Sequence, residues 1–456
     1  MMSKRNDKIR LAAFNFSGMY SQGWRHPDVQ SDGENDFDWQ VTFARTAERG
    51  LFDMIFMADE SSLARPISDR DMLSRLSSVA GFEPATLMAA LAACTQHVGL
   101  VHTMSTTYEQ PYYLARQLAS IDKISKGRAG WNLVTSGNPN EAANFGVKGG
   151  TTLHADRYRR AAEFHHVVTG LWDSIEDDAF LLDKEGGRYL DPEKIHALAH
   201  EGEFFSVKGP LRGGRSPQGH PIIAQAGASG EGRDLGSRTA DVVFCSTHFI
   251  EDAQAFYADM KQRTVAHGRQ ASDLKIFPGT SIVWGETQSQ AEDRFDEISR
   301  LYPDEIALEN ITGAVQLDVS NYDLDGPFPD LPPTRGMQGH QRAISAFAKH
   351  NNLSIRQTAQ RLASSSKHRV LVGTTQSIVD NLEEWFMGYA ADGFVIMNPY
   401  RLRSLEDVVT HIVPELQRRG LFRTAYEGKT LRENLGLSRP ESRFAATRAV
   451  RSPDVG

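Results

Sequence analysis

Strand-length apolar runs alternate with segments of helical spacing along most of the chain. Residues 9–15 form a mostly apolar run typical of a buried strand, and residues 37–49 place apolar side chains on one helical face. The same pattern predicts further strands at residues 52–58, 98–104, 127–135, 221–225, 241–246, 275–284 and 393–397. It predicts helices at residues 84–94, 113–124, 156–172, 229–238, 251–267, 376–391 and 405–419.

Strands that alternate with helices indicate an α/β fold with a parallel sheet, and eight such units fit a closed (β/α)8 TIM barrel. An open doubly wound sheet is the alternative, but no dinucleotide fingerprint follows any predicted strand. We therefore expect residues 1–456 to form one barrel domain. The surplus length is expected in insertions at the C-terminal face and in a C-terminal extension, at residues 59–82, 173–219, 303–368 and 421–456.

Composition narrows the class of protein. The 50 basic and 58 acidic residues give a net charge of −8, which argues against a nucleic-acid or anionic-membrane partner. No apolar run reaches the ~20 residues of a membrane span. The two cysteines, Cys94 and Cys245, are too few for a disulfide framework, and the first residues are charged. We expect a cytoplasmic protein.

Several enzyme signatures are absent from the sequence. There is no H-E-x-x-H, no phosphate loop of the G-x-x-x-x-G-K-[ST] type and no G-x-S-x-G elbow. The histidines at 196 and 200 are four residues apart, but no third ligand accompanies them, so no metal site is expected. The missing dinucleotide motif also means that the chain shows no nicotinamide site of its own.

Polar residues follow several predicted strands. Residues 225–232 (QAGASGEG) come after a strand and open a helix, where free amides and the Ser229 hydroxyl favour a phosphate; an ordinary N-capped turn explains them equally well. Asp59 ends the second predicted strand. It could be a site residue, or it could cap a helix or form an ion pair in a loop. The hydroxyls of Ser105 and Thr106 and the amide of Asn132 could bind a polar heteroaromatic ring.

His154 and Tyr158 are spaced i, i+4 at the start of a predicted helix, so they share one face. Such a pair suits either a phosphate or a substrate anion. An isolated histidine at this position is more often structural.

Together these residues resemble the bacterial luciferase-like flavin monooxygenases, and more closely their nitrilotriacetate and dibenzothiophene-sulfone monooxygenase branch. The similarity is carried by residues 105–136 (STTYEQPYYLARQLASIDKISKGRAGWNLVTS). Further similar segments are 141–145 (EAANF), 154–164 (HADRYRRAAEF), 216–227 (SPQGHPIIAQAG), 390–394 (AADGF), 413–420 (VPELQRRG) and 422–437 (FRTAYEGKTLRENLGL). The insertion at 303–368 matches the family least.

The resemblance implies a (β/α)8 barrel that uses FMN as FMNH2, delivered by a separate NAD(P)H:flavin reductase. O2 would react with the reduced flavin to give a C4a-(hydro)peroxide, which would transfer one oxygen atom to a small organic substrate. Ser105–Thr106 is where the family often has a cis peptide bond. The FMN-binding residues that it implies are Asp59, Ser105, Thr106, Asn132, His154, Tyr158, Ser229 and Gly230.

The residues that assist oxygen transfer are less clearly marked. His102, Tyr108 and His248 are the catalytic candidates, each with an alternative as a core or lid residue. Trp24 and His26 could line the substrate pocket, and His340 is a lid candidate. Alternatives to a monooxygenase are a deazaflavin-dependent hydride-transfer enzyme and a flavin-binding protein without catalysis. We expect a homo-oligomer, a dimer or tetramer.

Overall fold

The structure, a computed structural model, describes residues 5, 7–16, 22–147, 154–227, 229–315, 317–331, 344–345, 347–365 and 368–444. Its strands are β1 (Arg10–Asn15), β2 (Met54–Met57), β3 (Gly99–Ser105), β4 (Ala129–Val134), β5 (His200–Glu201), β6 (Ser206–Val207), β7 (Ile222–Ala226), β8 (Val242–Cys245), β9 (Lys275–Trp284), β10 (Arg369–Gly373) and β11 (Gly393–Met397).

Eight parallel strands close into a barrel, which confirms the predicted fold. The ring runs β1–β2–β3–β4–β7–β8–β9–β11 and returns to β1. The eight strands of this ring are the eight that the sequence predicted, with ends that differ by up to two residues.

Three strands were not predicted: β5 and β6, which lie within the insertion at 173–219, and β10. β10 pairs in parallel with the outer half of β9, from Thr280 to Trp284, beyond the point where β8 ends. β9 is long enough, at ten residues, to join the barrel with its first half and β10 with its second. β10 directly follows the predicted insertion at 303–368, and its own pattern does not predict a strand because its pairing partner is distant in sequence.

Helices cover the outside of the barrel and largely follow the prediction. The first ten are α1 (Phe37–Arg49), α2 (Arg70–Leu73), α3 (Pro84–Cys94), α4 (Pro111–Ile124), α5 (Pro139–Asn144), α6 (His154–Asp173), α7 (Gly230–Thr239), α8 (Ile250–Ala266), α9 (Gln288–Arg300) and α10 (Asp304–Val315). Further helices are Ile355–Ser364, Thr375–Met387, Leu402–Asp407, Val413–Arg418 and Leu431–Asn434, with a π-helical turn at Val408–Ile412.

Local signals explain the sharp starts of several helices. Asp36 caps α1 by accepting a hydrogen bond from the Asp38 amide at 2.9 Å, and Glu83 caps α3 by accepting from the Ala85 amide at 2.9 Å. Proline in the first turn of α3 and α4 adds a residue whose missing N–H costs nothing there. No helix in the described part of the chain is long and apolar enough to span a membrane.

Side chains on the strands alternate between the barrel interior and the outer helix layer. On β3, Val101 belongs to the interior cluster and Leu100 to the outer one. The interior cluster comprises Ala12, Phe14, Met54, Phe56, Val101, Ile222, Ala224, Val242, Phe277, Val395, Met397, Leu431, Leu435 and Leu437. The last three come from the C-terminal extension, so this segment closes the N-terminal end of the barrel.

The insertions build on the barrel in different ways. Residues 59–82 contain α2, and residues 173–219 contain the two-stranded antiparallel β5–β6 sheet. The insertion at 303–368 contributes α10 and the helix Ile355–Ser364, which share a separate apolar cluster. His340, the lid candidate, lies outside the described residues.

Candidate functional site

The C-terminal mouth of the barrel has an aromatic floor. The rings of Phe14, Phe56 and Phe244 come from β1, β2 and β8, and their centroids lie 5.8–6.1 Å apart. All three face the interior, because they belong to or pack against the interior cluster. An apolar layer, in which only Phe244 is partly exposed, therefore lies below the strand ends that carry the polar residues.

Asn132 on β4 presents an unsatisfied acceptor at this mouth. Its Nδ2 donates to Thr103 Oγ1 at 2.8 Å, and Thr103 Oγ1 donates to the Met57 carbonyl at 3.0 Å. Asn132 Oδ1 is buried and has no hydrogen-bond partner among the described residues. Buried polar atoms are nearly always paired, so this oxygen marks a place for a donor from a ligand. Thr103 was not a sequence candidate, although it lies two residues before Ser105 on the same strand face.

The end of β3 is fixed by backbone contacts. Thr106 donates from its hydroxyl to the Val134 carbonyl at 3.0 Å, and its own carbonyl accepts from Arg160 Nε at 3.1 Å. Ser105 Oγ accepts from the Thr107 amide at 3.2 Å. The expected cis peptide at Ser105–Thr106 is wrong for this structure, since the one cis bond among the described residues is Gly209–Pro210. For a non-prolyl bond the trans form has the lower free energy.

A cradle of hydroxyls and amides lies at the N-terminus of α7. Ser229 caps this helix and accepts from the Gly232 amide at 3.1 Å. A Cβ on residue 232 would stand 3.1 Å from both Tyr158 Oη and Ser229 Oγ, so α6 and α7 meet here. No atom lies within 4 Å of the corresponding position at Gly230. The exposed ring of His154 lies 4.8 Å from that of Tyr158.

These features fit the phosphate and the polar edge of FMN. The α7 N-terminus supplies main-chain amides and the positive end of a ten-residue helix, which favour an anion. Tyr158 and Ser229 add hydroxyls beside the open space at Gly230, and Asn132 Oδ1 has no hydrogen-bond donor among the described residues. The structure thus brings together the residues that the sequence assigned to the phosphate.

Asp59 borders an acidic cavity of about 440 Å³ above β2. The pKa of Asp59 is raised to about 6. Burial is the main cause, repulsion from Glu83, Glu141 and Glu60 contributes, and a hydrogen bond from the Glu60 amide opposes the rise. Asp59 is nevertheless exposed to solvent at the edge of this cavity. Its carboxyl is therefore mostly ionised at pH 7 and takes up a proton near pH 6.

The three catalytic candidates lie in different places. His102 is fully buried on β3, but it alternates with Val101 and Thr103 and so faces the outer helix layer. The structure does not bring this residue to the mouth, because adjacent residues of a strand point to opposite faces. Burial lowers the pKa of His102 to about 4, against the opposing charge of Glu83.

Tyr108 and His248 do lie near strand ends. The Tyr108 ring stacks on Phe145 at 4.5 Å, and burial together with Glu141 raises the pKa of its hydroxyl. His248 follows β8 and is close enough to His368 for its charge to depress the pKa of that residue. His368 is a residue that the sequence analysis missed, since it directly precedes the unpredicted β10.

The loop after β1 holds the two residues expected to line the substrate pocket. Trp24 is half-buried, and its Nε1 has no hydrogen-bond partner among the described residues. The ring of His26 lies 5.4 Å from that of Tyr400, which follows β11. His26 therefore lies near the C-terminal end of β11. No group of three or more histidine, cysteine, aspartate or glutamate side chains in the described ranges is placed to hold a metal.

A family model described as luciferase-like monooxygenase matches residues 17–391 of the chain. The chain belongs to this family. Nitrilotriacetate monooxygenase component A of Aminobacter aminovorans is 46% identical over 439 residues, covering 95% of this chain and 97% of that protein. Dibenzothiophene-sulfone monooxygenase of Rhodococcus erythropolis is 38% identical over 447 residues, covering 95% and 98%. The sequence resemblance is thereby confirmed, and the enzyme class is that of the flavin-dependent monooxygenases.

A solved structure of riboflavin lyase with modified FMN and riboflavin is also similar. It has 32% sequence identity and a TM-score of 0.81, and the match covers 98% of this chain and 100% of that one. The riboflavin lyase chain therefore superposes on the present chain over nearly its whole length.

Proposed function

We propose that this chain is the oxygenase of a two-component system that uses FMNH2 and O2 to insert one oxygen atom into a small organic substrate. A separate NAD(P)H:flavin reductase would supply the FMNH2. The observation that carries the proposal is the cradle at the α7 N-terminus, where Ser229 and Tyr158 meet beside open space at Gly230. The nitrilotriacetate relative is named as component A of its enzyme, which supports a two-component arrangement.

In this proposal, different residues hold different parts of FMN. The α7 amides, Ser229 and Tyr158 hold the phosphate, with His154 at its exposed side, and Asn132 Oδ1 accepts a hydrogen bond from the flavin ring or ribityl chain. Bound reduced FMN supplies the electrons that activate O2. The aromatic floor excludes water from the space above it, which protects a reactive oxygen species from hydrolysis and proton leakage.

The remaining sequence candidates keep roles within this proposal. Asp59, Ser105 and Thr106 lie at the ends of β2 and β3, where the isoalloxazine edge would sit. Tyr108 and His248 are proposed to hold or move a proton near the reacting atoms. His102 is not proposed for this role, because it faces the outer layer.

The alternatives that the sequence left open are less well supported. The full-length relatives at 38% and 46% identity are monooxygenases, which favours oxygen transfer over deazaflavin-dependent hydride transfer and over flavin binding without catalysis. The homo-oligomeric state, dimer or tetramer, and the cytoplasmic location stay predictions of the sequence.

The proposal is tested by labelled oxygen transfer. The purified chain is combined with FMN, NADH, a generic flavin reductase and a panel of small organic substrates under 18O2, and products are analysed by mass spectrometry. We expect one labelled oxygen atom in a product that requires every component. Consumption of NADH by the chain without reductase would contradict the proposal. Turnover without O2 would favour the deazaflavin alternative, and FMN binding without any product would favour the non-catalytic one.

A further inference from the structure

His368 stands inside the mouth of the barrel. It is 8% exposed, and its ring centroid lies 5.3 Å from that of Phe244, the β8 member of the aromatic floor. His368 directly precedes β10. The last residue of the insertion at 303–368 therefore places its imidazole in the barrel interior. The strand ends that carry Asn132 and the phosphate cradle belong to β4 and β7, and β7 is the ring neighbour of β8, which carries Phe244.

Gly279 on β9 makes room for this imidazole. A Cβ at residue 279 would lie 2.5 Å from His368 Nδ1 and 2.9 Å from Phe244 Cε2, which no side chain tolerates. Residue 279 has the same strand face as Phe277, which belongs to the interior cluster, so the space that it leaves is interior. The glycine, the phenylalanine and the histidine therefore form one packed wall just beyond the end of β8.

The imidazole has an unused hydrogen-bonding atom. His368 Nδ1 is buried and has no partner among the described residues. Burial, together with a smaller effect of the neighbouring His248, lowers the pKa of His368 to about 4, so the ring is neutral at pH 7. A neutral imidazole donates or accepts one hydrogen bond and gives no ionic attraction to a carboxylate.

We propose, resting on the proposed monooxygenase function, that His368 binds the substrate. Its ring forms the hydrogen bond to one polar group of a substrate whose apolar body packs on Phe244, the half-buried ring of the aromatic floor. The substrate class that fits this wall is an uncharged molecule with an apolar, aromatic-sized body and a single hydrogen-bonding group. A compact polyanion does not fit it, although a relative that shares 46% identity is named for nitrilotriacetate.

Two probes with the same tricyclic body distinguish the apolar contact from the hydrogen bond to His368. Dibenzothiophene is apolar, and its sulfone adds hydrogen-bond acceptors. Binding of each to the full chain saturated with oxidised FMN is measured by equilibrium dialysis, so that no turnover is needed. We expect the sulfone to bind about tenfold more tightly than dibenzothiophene, because one additional buried hydrogen bond contributes about that much affinity. Nitrilotriacetate, as a third probe, is expected to bind more weakly than either.

Substitutions at residue 368 test the assignment. H368F keeps an aromatic ring but removes the hydrogen bond, and it is expected to reduce the preference for the sulfone to about onefold, with dibenzothiophene affinity retained. H368Q keeps a hydrogen-bonding group and is expected to retain part of the preference. H97Q, at an exposed histidine before β3, is the matched control and should change neither probe.

The outcomes distinguish this inference from the proposed function. An unchanged preference for the sulfone in H368F, tightest binding of nitrilotriacetate, or binding of none of the three probes would overturn the role of His368. FMN affinity measured on the same samples should be equal in native, H368F and H368Q proteins. Failure of the native chain to bind FMN would instead overturn the proposed function and this inference with it.

Discussion

The side-chain amide of Asn132 donates to the hydroxyl of Thr103 at 2.8 Å, across neighbouring strands. This bond uses Asn132 Nδ2 and leaves Asn132 Oδ1 without a partner among the described residues. The pair orients an acceptor before any ligand arrives. Because the hydrogen bond fixes which end of the amide is free, the site is already arranged for a donor group on the flavin.

Replacement of Asn132 by leucine is therefore expected to weaken FMN binding. The variant removes the acceptor and leaves a ligand donor unpaired in a buried place, which corresponds to an increase of about tenfold or more in Kd. Quenching of flavin fluorescence measures the affinity. Asn140→Leu, at an exposed position in α5, is the control. Equal affinities in the native protein and N132L would contradict the assignment.

Tyr158→Phe tests the phosphate cradle separately from the ring. The hydroxyl lies 3.1 Å from the position of a Cβ on residue 232, at the N-terminus of α7. FMN affinity is expected to fall about tenfold because a hydrogen bond to a charged group is lost, whereas riboflavin, which has no phosphate, should bind equally to both proteins. A parallel loss of riboflavin affinity would show that the variant disturbs more than the phosphate.

Gly232→Ala is expected to crowd the same cradle. The new methyl would stand 3.1 Å from Ser229 Oγ and Tyr158 Oη and 3.2 Å from Gly227 Cα, so the hydroxyls must shift. We expect FMN affinity to fall about tenfold, comparable with the loss of one such hydrogen bond. Gly313→Ala in α10, where no atom lies within 4 Å, is the control, and it should leave affinity unchanged while raising helix stability. Equal FMN affinity in G232A and the native chain would place the phosphate elsewhere.

The fold followed from the sequence because the barrel strands are short apolar runs flanked by helices whose spacing is local. α1 and α3 even have their predicted ends, since Asp36 and Glu83 cap them. β10 was missed because a strand outside the ring is defined by its partner, the outer half of β9, and not by its own pattern.

The site was predicted less completely for a related reason. A strand buried on both faces has no polar–apolar alternation, so its sequence does not tell which residues point inward. His102 was chosen and Thr103 overlooked for this reason. His368 required knowledge of a contact with Phe244, which is distant in sequence.

Arg423→Ala is expected to destabilise the whole barrel. Arg423 forms a buried ion pair with Asp53, and the two side chains are 3% and 0% exposed. Removing the guanidinium leaves a buried carboxylate without its counter-ion, which lowers the free energy of unfolding by about 3–5 kcal/mol. Urea denaturation measures the change.

The matched control for Arg423 lies in the same C-terminal segment. Arg439 pairs with Asp177, but both side chains are nearly half exposed, so Arg439→Ala is expected to cost about 0–1 kcal/mol. Similar losses in the two variants would mean that the C-terminal extension does not anchor the barrel through the Asp53 pair.

His102→Leu is expected to reduce the sensitivity of the protein to acid. The pKa of His102 is about 4 in the folded chain, below the ordinary value of 6.5, because burial disfavours the charged ring. Between these two values the unfolded state binds more protons, so the free energy of unfolding falls as the pH drops from about 6.5 to about 4. The contribution of His102 to this fall is at most about 3 kcal/mol.

The variant should therefore show a flatter dependence of unfolding free energy on pH, measured by urea denaturation at several pH values. His368 has a similarly low pKa and is expected to keep part of the slope. Because His102 faces the helix layer, H102L is also expected to bind FMN with native affinity. Loss of FMN binding together with an unchanged pH profile would return His102 to the flavin site and contradict its outward orientation.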